Sequence, residues 1–214
     1  MITVYGRATS SNVQLVMWAA AELGVEVERL DYGHVHGGTD TDEYRAMNPN
    51  GLVPTVRDGD LVMWESAAIL RYFASRYGSE VFWPGDPAAR AKIDMWAEWG
   101  KTTLAAAFTM PIFWPRVRTP AADRDHAKLA RAVDRMDQLL EITALQIGDQ
   151  SYTCGDALSA ADITIGHVLF RWFTIDVPRR PNPTIEAYYE RLTQRPAFAE
   201  HVMVNYDAIR HPEA

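Results

Sequence analysis

The chain has 214 residues, of which 48% are hydrophobic and 23% charged, an ordinary globular composition sufficient for one large domain or two modest ones. A formal net charge of -7 argues against a polyphosphate partner such as nucleic acid, which would need a basic stripe, and leaves small molecules and proteins. The longest unbroken apolar run, residues 15–21, is far too short for a membrane span, and the single Cys154 cannot form an internal disulfide, which fits a reducing, cytoplasmic setting.

Residues 2–5 alternate apolar and polar side chains directly from the N-terminus, so they read as a strand and not as a signal peptide. GRATSSN follows as turn chemistry. Val13, Val16, Met17, Ala20 and Leu23 then recur at three- and four-residue steps, one face of a helix stopped by Gly24. Val25, Val27 and the alternation through Tyr32 predict a second strand, parallel to the first across a right-handed crossover. The Gly- and His-containing loop 34–41 leads to a short helical piece at 44–47 and to NPNGLVPTV at 48–56. Strands at 55–57 and 61–64 are joined at Asp58-Gly59, a hairpin signal, and a helix begins at Glu65-Ser66 with Ile69, Leu70, Phe73 and Tyr77 on one face.

Two glycines and two prolines in 78–87 mark a break, with Asp86-Pro87 suited to start a helix. Beyond it no strand alternation is evident. A long helix carries Ile93, Trp96 and Leu104, with interruptions expected near Pro111, Pro115 and Pro120. Another carries Leu129, Val133, Met136 and Leu140, and later helices fall at 160–174, 184–194 and 197–209. The expected organisation is an α/β domain at 1–78, a linker at 79–87 and an all-helical domain at 88–214.

Several short patterns carry chemistry. Pro54 stands between a loop and a strand, as an ordinary edge proline or as a cis turn. Glu65-Ser66 opens a helix, whose free N–H groups attract a carboxylate, although serine caps many helices that bind nothing. Thr9, Ser10, Ser11 and Asn12 put hydroxyl and amide groups before the first helix, as caps or as hydrogen-bond donors to a ligand. His34 and His36 lack a third ligand at useful spacing, so a loop is the better reading and no metal is expected. Ser159 and Asp162 precede an apolar run as an S-x-x-D capping box, assigned to folding.

In this order and at these separations, the whole chain resembles the cytosolic glutathione transferases, with a serine-type, theta- or phi-like bacterial character. The resemblance implies a thioredoxin-like domain followed by a helical one, and a cis Val53–Pro54 bond whose Val53 backbone pairs with the cysteinyl part of glutathione. It implies that Ser66 holds the γ-glutamyl carboxylate and Glu65 its ammonium. Ser10 falls on the position that donates to the glutathione sulfur, with Ser11 and Asn12 as the alternatives in the same loop. His36 is the candidate for the glycyl end. Leu52 departs from the polar or basic residue common in the family, which points to weaker binding. Trp99, Phe108, Met110, Phe113 and Trp114 lie where the family builds its hydrophobic acceptor pocket, with Phe108 and Trp114 the chosen wall residues. Helix-core packing explains Trp99 equally well.

The implied activity is addition of the glutathione thiolate to a hydrophobic electrophile by a homodimeric enzyme. A glutathione-dependent isomerase or dehalogenase, and a silent binding or scaffold protein, are the alternatives on the same fold. The loop holds no cysteine, so thiol–disulfide exchange through a protein cysteine there is excluded.

Overall fold

The computed structural model describes residues 1–213. Its sheet contains β1 (Ile2–Tyr5), β2 (Val27–Leu30), β3 (Thr55–Asp58) and β4 (Leu61–Trp64) in the order β2-β1-β3-β4. β1 and β2 run parallel across α1 (Ser11–Glu22), while β3 is antiparallel to both β1 and β4. The β3–β4 hairpin turns tightly, pairing Asp58 with Leu61, and Gly59 supplies the positive φ of 60° that the turn needs.

Strand alternation assigns the two faces of the sheet. Ile2 and Val4 point into the core shared with α1 and α3 (Ser66–Tyr77), which pack together. Tyr5, on the other face, meets Tyr44 of α2 (Asp42–Met47) edge-on at 6.4 Å, and Tyr32 stacks on Tyr44 at 5.4 Å. His34–His36 forms a single 3-10 turn between β2 and α2.

From α4 (Pro87–Trp99) onward every regular element is helical. Asp86 caps α4 by accepting from Ala89 N–H at 2.8 Å, and Pro87 occupies the first turn, as the sequence suggests. The interruptions expected at Pro111 and Pro115 do not occur. Backbone helix runs from α4 through a π segment at Gly100–Leu104, α5 (Ala105–Phe108), a second π segment at Thr109–Phe113 and α6 (Trp114–Arg118). The wider π turn accommodates Pro111, whose ring and missing N–H disfavour a regular α-turn, so the chain ends its helix only at Thr119-Pro120.

α7 (His126–Ile147) follows, and then α8 (Ala160–Gly166) and α9 (Leu169–Thr174), which divide the single helix expected at 160–174. α10 (Pro183–Thr193) and α11 (Pro196–His201) complete the set, α11 ending well before residue 209. α8 is buried along its whole length and packs on α4 and on the π segment that follows it, where a Cβ at Gly100 would stand 2.7 Å from the Thr164 hydroxyl. Asp162 anchors α8, accepting from Ser159 N–H and Oγ, Thr153 N–H and the Tyr188 hydroxyl. Ser159 thus donates to Asp162, the acidic half of the box carrying the cap.

The α/β and helical parts share one continuous apolar core. Trp18 of α1, fully buried, meets Phe198 of α11 edge-on at 4.9 Å, and Glu22 of α1 pairs with Arg195 at 2.5 Å. This seam fixes the C-terminal half of α1, the helix whose N-terminal end carries the candidate site, against the helical part.

Candidate active site

Ser10 is the N-cap residue of α1 (φ −89°, ψ 122°) and is 8% exposed. Its hydroxyl accepts no bond from the helix N–H groups, so the capping role open to it in the sequence is not taken. The loop is held by other contacts. Ser10 N–H donates to the Arg7 carbonyl at 3.1 Å, Gln14 Nε2 to the Ala8 carbonyl at 2.8 Å, and Arg171 of α9 to the Thr9 carbonyl at 2.8 Å. Ser10 therefore presents an uncommitted hydroxyl on a fixed backbone, ready to donate without first breaking a bond. Ser11 is the first residue of α1 and is half-buried.

A narrow cleft beside this loop brings together Asn12, Leu52, Val53, Pro54, Glu65 and Ser66. Val53–Pro54 is cis. The turn before it is braced by Tyr44 and Asn48, whose hydroxyl and amide donate to the Leu52 carbonyl at 2.8 Å each. Asn48 also donates to the Thr55 hydroxyl at 3.1 Å. Among the described residues the Val53 backbone N–H and C=O have no internal hydrogen-bond partner, leaving both for an extended peptide. The Leu52 side chain is 67% exposed.

Glu65 has φ 72° and ψ 109°, a left-handed conformation rare outside glycine. Such a residue costs on the order of 1–3 kcal/mol and persists where surrounding structure holds it. Its consequence is an exposed carboxylate at the mouth of α3, with Ser66 directly behind it. The Ser66 hydroxyl is buried without a hydrogen-bond partner. A buried orphan donor, free N–H groups at a helix start and an adjacent carboxylate suit the two opposite charges of an amino-acid terminus.

The helical part contributes Lys101, which the sequence reading missed. Its Nζ donates to Asn12 Oδ1 at 2.5 Å, and burial lowers its pKa while Glu65 opposes the shift. The contact spans 89 residues, so no local pattern announces it. Asn48, Asn50 and Trp64 also line the cleft, within segments that read only as turn and strand. His167 is 1% exposed and its pKa is pushed down to about 3 by burial and then by the nearby Lys101 charge. Its Nδ1 lies 2.8 Å from the Thr164 carbonyl, so that nitrogen carries the proton of a neutral ring.

Two expected site residues stand elsewhere. His36 is exposed on its 3-10 turn, with Nε2 3.8 Å from Asp31, and is not among the walls of the cleft. Phe108 is a core residue, 1% exposed, packed against Phe113 at 5.9 Å and Trp172 at 6.1 Å, so it offers no pocket surface. Phe113 is buried in the same cluster. Trp114 remains half-exposed, with the Arg118 guanidinium 3.9 Å above its ring. Cys154 is half-buried in the helical part, with its thiol pushed up to about 12 by burial. Among the described residues no group of three or more His, Cys, Asp or Glu side chains is placed to hold a metal, and no helix is long and apolar enough to cross a membrane.

Known proteins resemble this chain in sequence and fold. The family model for the glutathione S-transferase N-terminal domain matches residues 1–75, and that for the C-terminal domain matches residues 119–192. The chain is 35% identical over 206 residues to glutathione S-transferase GstB of Escherichia coli (strain K12), covering 95% of this chain and 99% of that protein. It is 29% identical over 209 residues to glutathione S-transferase 3 of Zea mays, covering 94% and 93% of the two chains. Its fold superposes with a TM-score of 0.89, at 42% identity, on the theta class glutathione S-transferase from the citrus canker pathogen Xanthomonas axonopodis pv. citri with glutathione bound, over 95% of this chain and 98% of that one. The chain belongs to the glutathione S-transferase family.

Proposed function

We propose that the protein binds glutathione in the Val53–Ser66 cleft and joins its thiolate to a hydrophobic electrophilic small molecule. The observation that carries this reading is a set of uncommitted polar groups beside one another in the fold. The Ser10 hydroxyl, the Val53 backbone and the Ser66 hydroxyl all lack internal partners, and they belong to the cleft and to the loop beside it. Glutathione offers a complement to each: a sulfur, an extended peptide and a carboxylate.

In the proposed mechanism Ser10 donates to the sulfur and favours thiolate over thiol. A thiol with pKa near ~8.5 is only a few per cent ionised at neutral pH, and lowering it by about two units stabilises the thiolate by roughly 2.7 kcal/mol relative to the thiol. Val53 pairs with the cysteinyl backbone, Ser66 takes the γ-glutamyl carboxylate and Glu65 the ammonium. Lys101, through Asn12, joins the helical part to this loop. Residues 1–78 then serve as the glutathione-binding domain and 88–214 as the acceptor-binding domain, with Trp114 on the acceptor side. The same reading makes the enzyme a cytoplasmic homodimer, the commonest symmetric assembly.

A thermal-shift titration tests the binding claim. Glutathione at about a hundred times its Kd should add about 2.7 kcal/mol of stability, a rise in Tm of roughly 5–10 °C for a chain of this size. No shift at millimolar glutathione would remove the reading. Product analysis then separates conjugation from the isomerase and dehalogenase alternatives.

A further inference from the structure

Three arginines converge beside the Ser10 loop, and among the described residues none of them has a carboxylate partner. Arg29, Arg71, Arg116, Arg180, Arg195 and Arg210 each face an acidic side chain. Arg171 is 4% exposed, donates to the Thr9 carbonyl, and lies with its guanidinium carbon 4.5 Å from the Phe113 ring centre. Its Nε is buried and unpartnered. Arg118 lies on the Trp114 ring with Nε and Nη2 both buried and unpartnered. Arg7, three residues before Ser10, leans on Gly33, where an added Cβ would stand 3.4 Å from Nη1, and its Nε is likewise orphaned.

The cluster is mutually repulsive. Beyond the effect of burial, Arg118 lowers the pKa of Arg7, Arg7 that of Arg171, and both Arg118 and Arg7 that of His34 on the neighbouring turn. Gathering one buried and two partly buried cations without a counter-charge is costly, and a bidentate carboxylate is the ligand that matches a guanidinium fork. None of the three arginines lines the Glu65–Ser66 cleft, so the charge they invite is separate from the γ-glutamyl carboxylate.

We propose that Arg7 and Arg118, backed by Arg171, bind a carboxylate on the acceptor, so that the enzyme conjugates electrophiles carrying an acid group near the reactive carbon. This rests on the transferase reading above. With an aryl chloride bearing a carboxylate, the glutathione sulfur forms a C–S bond at the carbon holding chlorine. The C–Cl bond breaks, chloride leaves with the bonding pair, the thiol proton passes to solvent, and the carboxylate is unchanged. The Trp114 ring provides an apolar platform beside the charge.

The test compares a chlorodinitrobenzoate with its matching benzamide, each kcat/KM divided by the uncatalysed rate with glutathione. The wild type should favour the acid, and Arg118→Met and Arg7→Gln should each lose roughly 10- to 100-fold on the acid while the amide changes by about twofold or less. The amide also serves as the control for folding. Equal losses on both substrates, or no preference for the acid, would overturn the acceptor site and leave the transferase reading intact. Calorimetry showing no glutathione binding would overturn both.

The glycyl carboxylate of glutathione has the same chemistry, and γ-glutamylcysteine, which lacks it, distinguishes the two sources. A KM rise for glutathione but not for γ-glutamylcysteine in Arg118→Met, with the acid-to-amide ratio unchanged, would assign the arginines to glutathione and overturn the proposal. An acid-specific loss with both thiols supports it.

Discussion

Ser66→Ala separates a binding role from a folding role, because the two predict opposite signs. The Ser66 hydroxyl is buried, 2% exposed as a residue, and donates to nothing within the chain. Leaving a buried polar group unpaired costs about 1–3 kcal/mol, so its removal should not destabilise the free protein. Ser66 is also the first residue of α3, where alanine is at least as good a helix former. The expected result is a gain of up to about 1 kcal/mol, a Tm rise of roughly 2–4 °C. Binding should move the other way. A hydrogen bond to a charged carboxylate contributes about 1.5–3 kcal/mol, which makes glutathione affinity fall tenfold to about a hundredfold. Thermal unfolding and calorimetric titration on the same preparation supply both numbers. A variant that loses more than about 1 kcal/mol of stability while keeping its affinity would refute the assignment, since the hydroxyl would then be a structural group.

Glu65→Gly should behave similarly for a different reason: glycine relieves the φ of 72°, worth about 1–3 kcal/mol before its own entropy cost, while glutathione loses its ammonium partner. Unfolding midpoint and affinity should therefore diverge, and a matched fall in both would contradict the account of this strain. His167 predicts an acid sensitivity. The folded ring protonates only near pH 3 and an unfolded one near 6.5, so the unfolded state binds more protons between those limits. Stability from its neutral burial is complete above about pH 6.5 and is lost as the pH falls, by about 2 kcal/mol at pH 5. Urea midpoints at pH 7 and pH 5 should converge less in the wild type than in His167→Gln, and equal pH slopes would contradict this.

Much of the α/β part is legible because its signals are local. Period-two runs give β1 and β2, the Asp58-Gly59 turn gives the β3–β4 hairpin, and the Ile69–Leu70–Phe73 face with Gly78 gives α3. The helical part is less so. Prolines at 111 and 115 suggest breaks, and only tertiary packing shows that π turns carry the helix through them. The apolar run from Ile163 conceals the separation of α8 from α9 at His167-Val168.

At the site, Val53, Pro54, Glu65 and Ser66 are visible because each pair is a short local signal, a proline between loop and strand and a helix start, and the fold brings the two into one cleft. The Lys101–Asn12 and Arg171–Thr9 contacts span 89 and 162 residues, and no periodicity encodes them. Phe108 misleads for a related reason, since an aromatic beside prolines suits a pocket wall and a packed core equally until its neighbours Phe113 and Trp172 are known. His36 is suggested by its loop alone, and the turn carries its ring to Asp31.

The most direct measurement is the ultraviolet absorbance of the glutathione thiolate, titrated against pH at saturating peptide. If the Ser10 hydroxyl stabilises that thiolate, Ser10→Ala should raise the bound thiol's pKa by about two units, leave peptide affinity largely intact, and cut turnover at neutral pH by one to several powers of ten. The deficit should shrink as the pH rises and solvent removes the proton unaided. Ser11→Ala should change little. A titration shifted by Ser11→Ala or Asn12→Ala and not by Ser10→Ala would move the role within the loop, and one shifted by none of the three would contradict the serine mechanism itself.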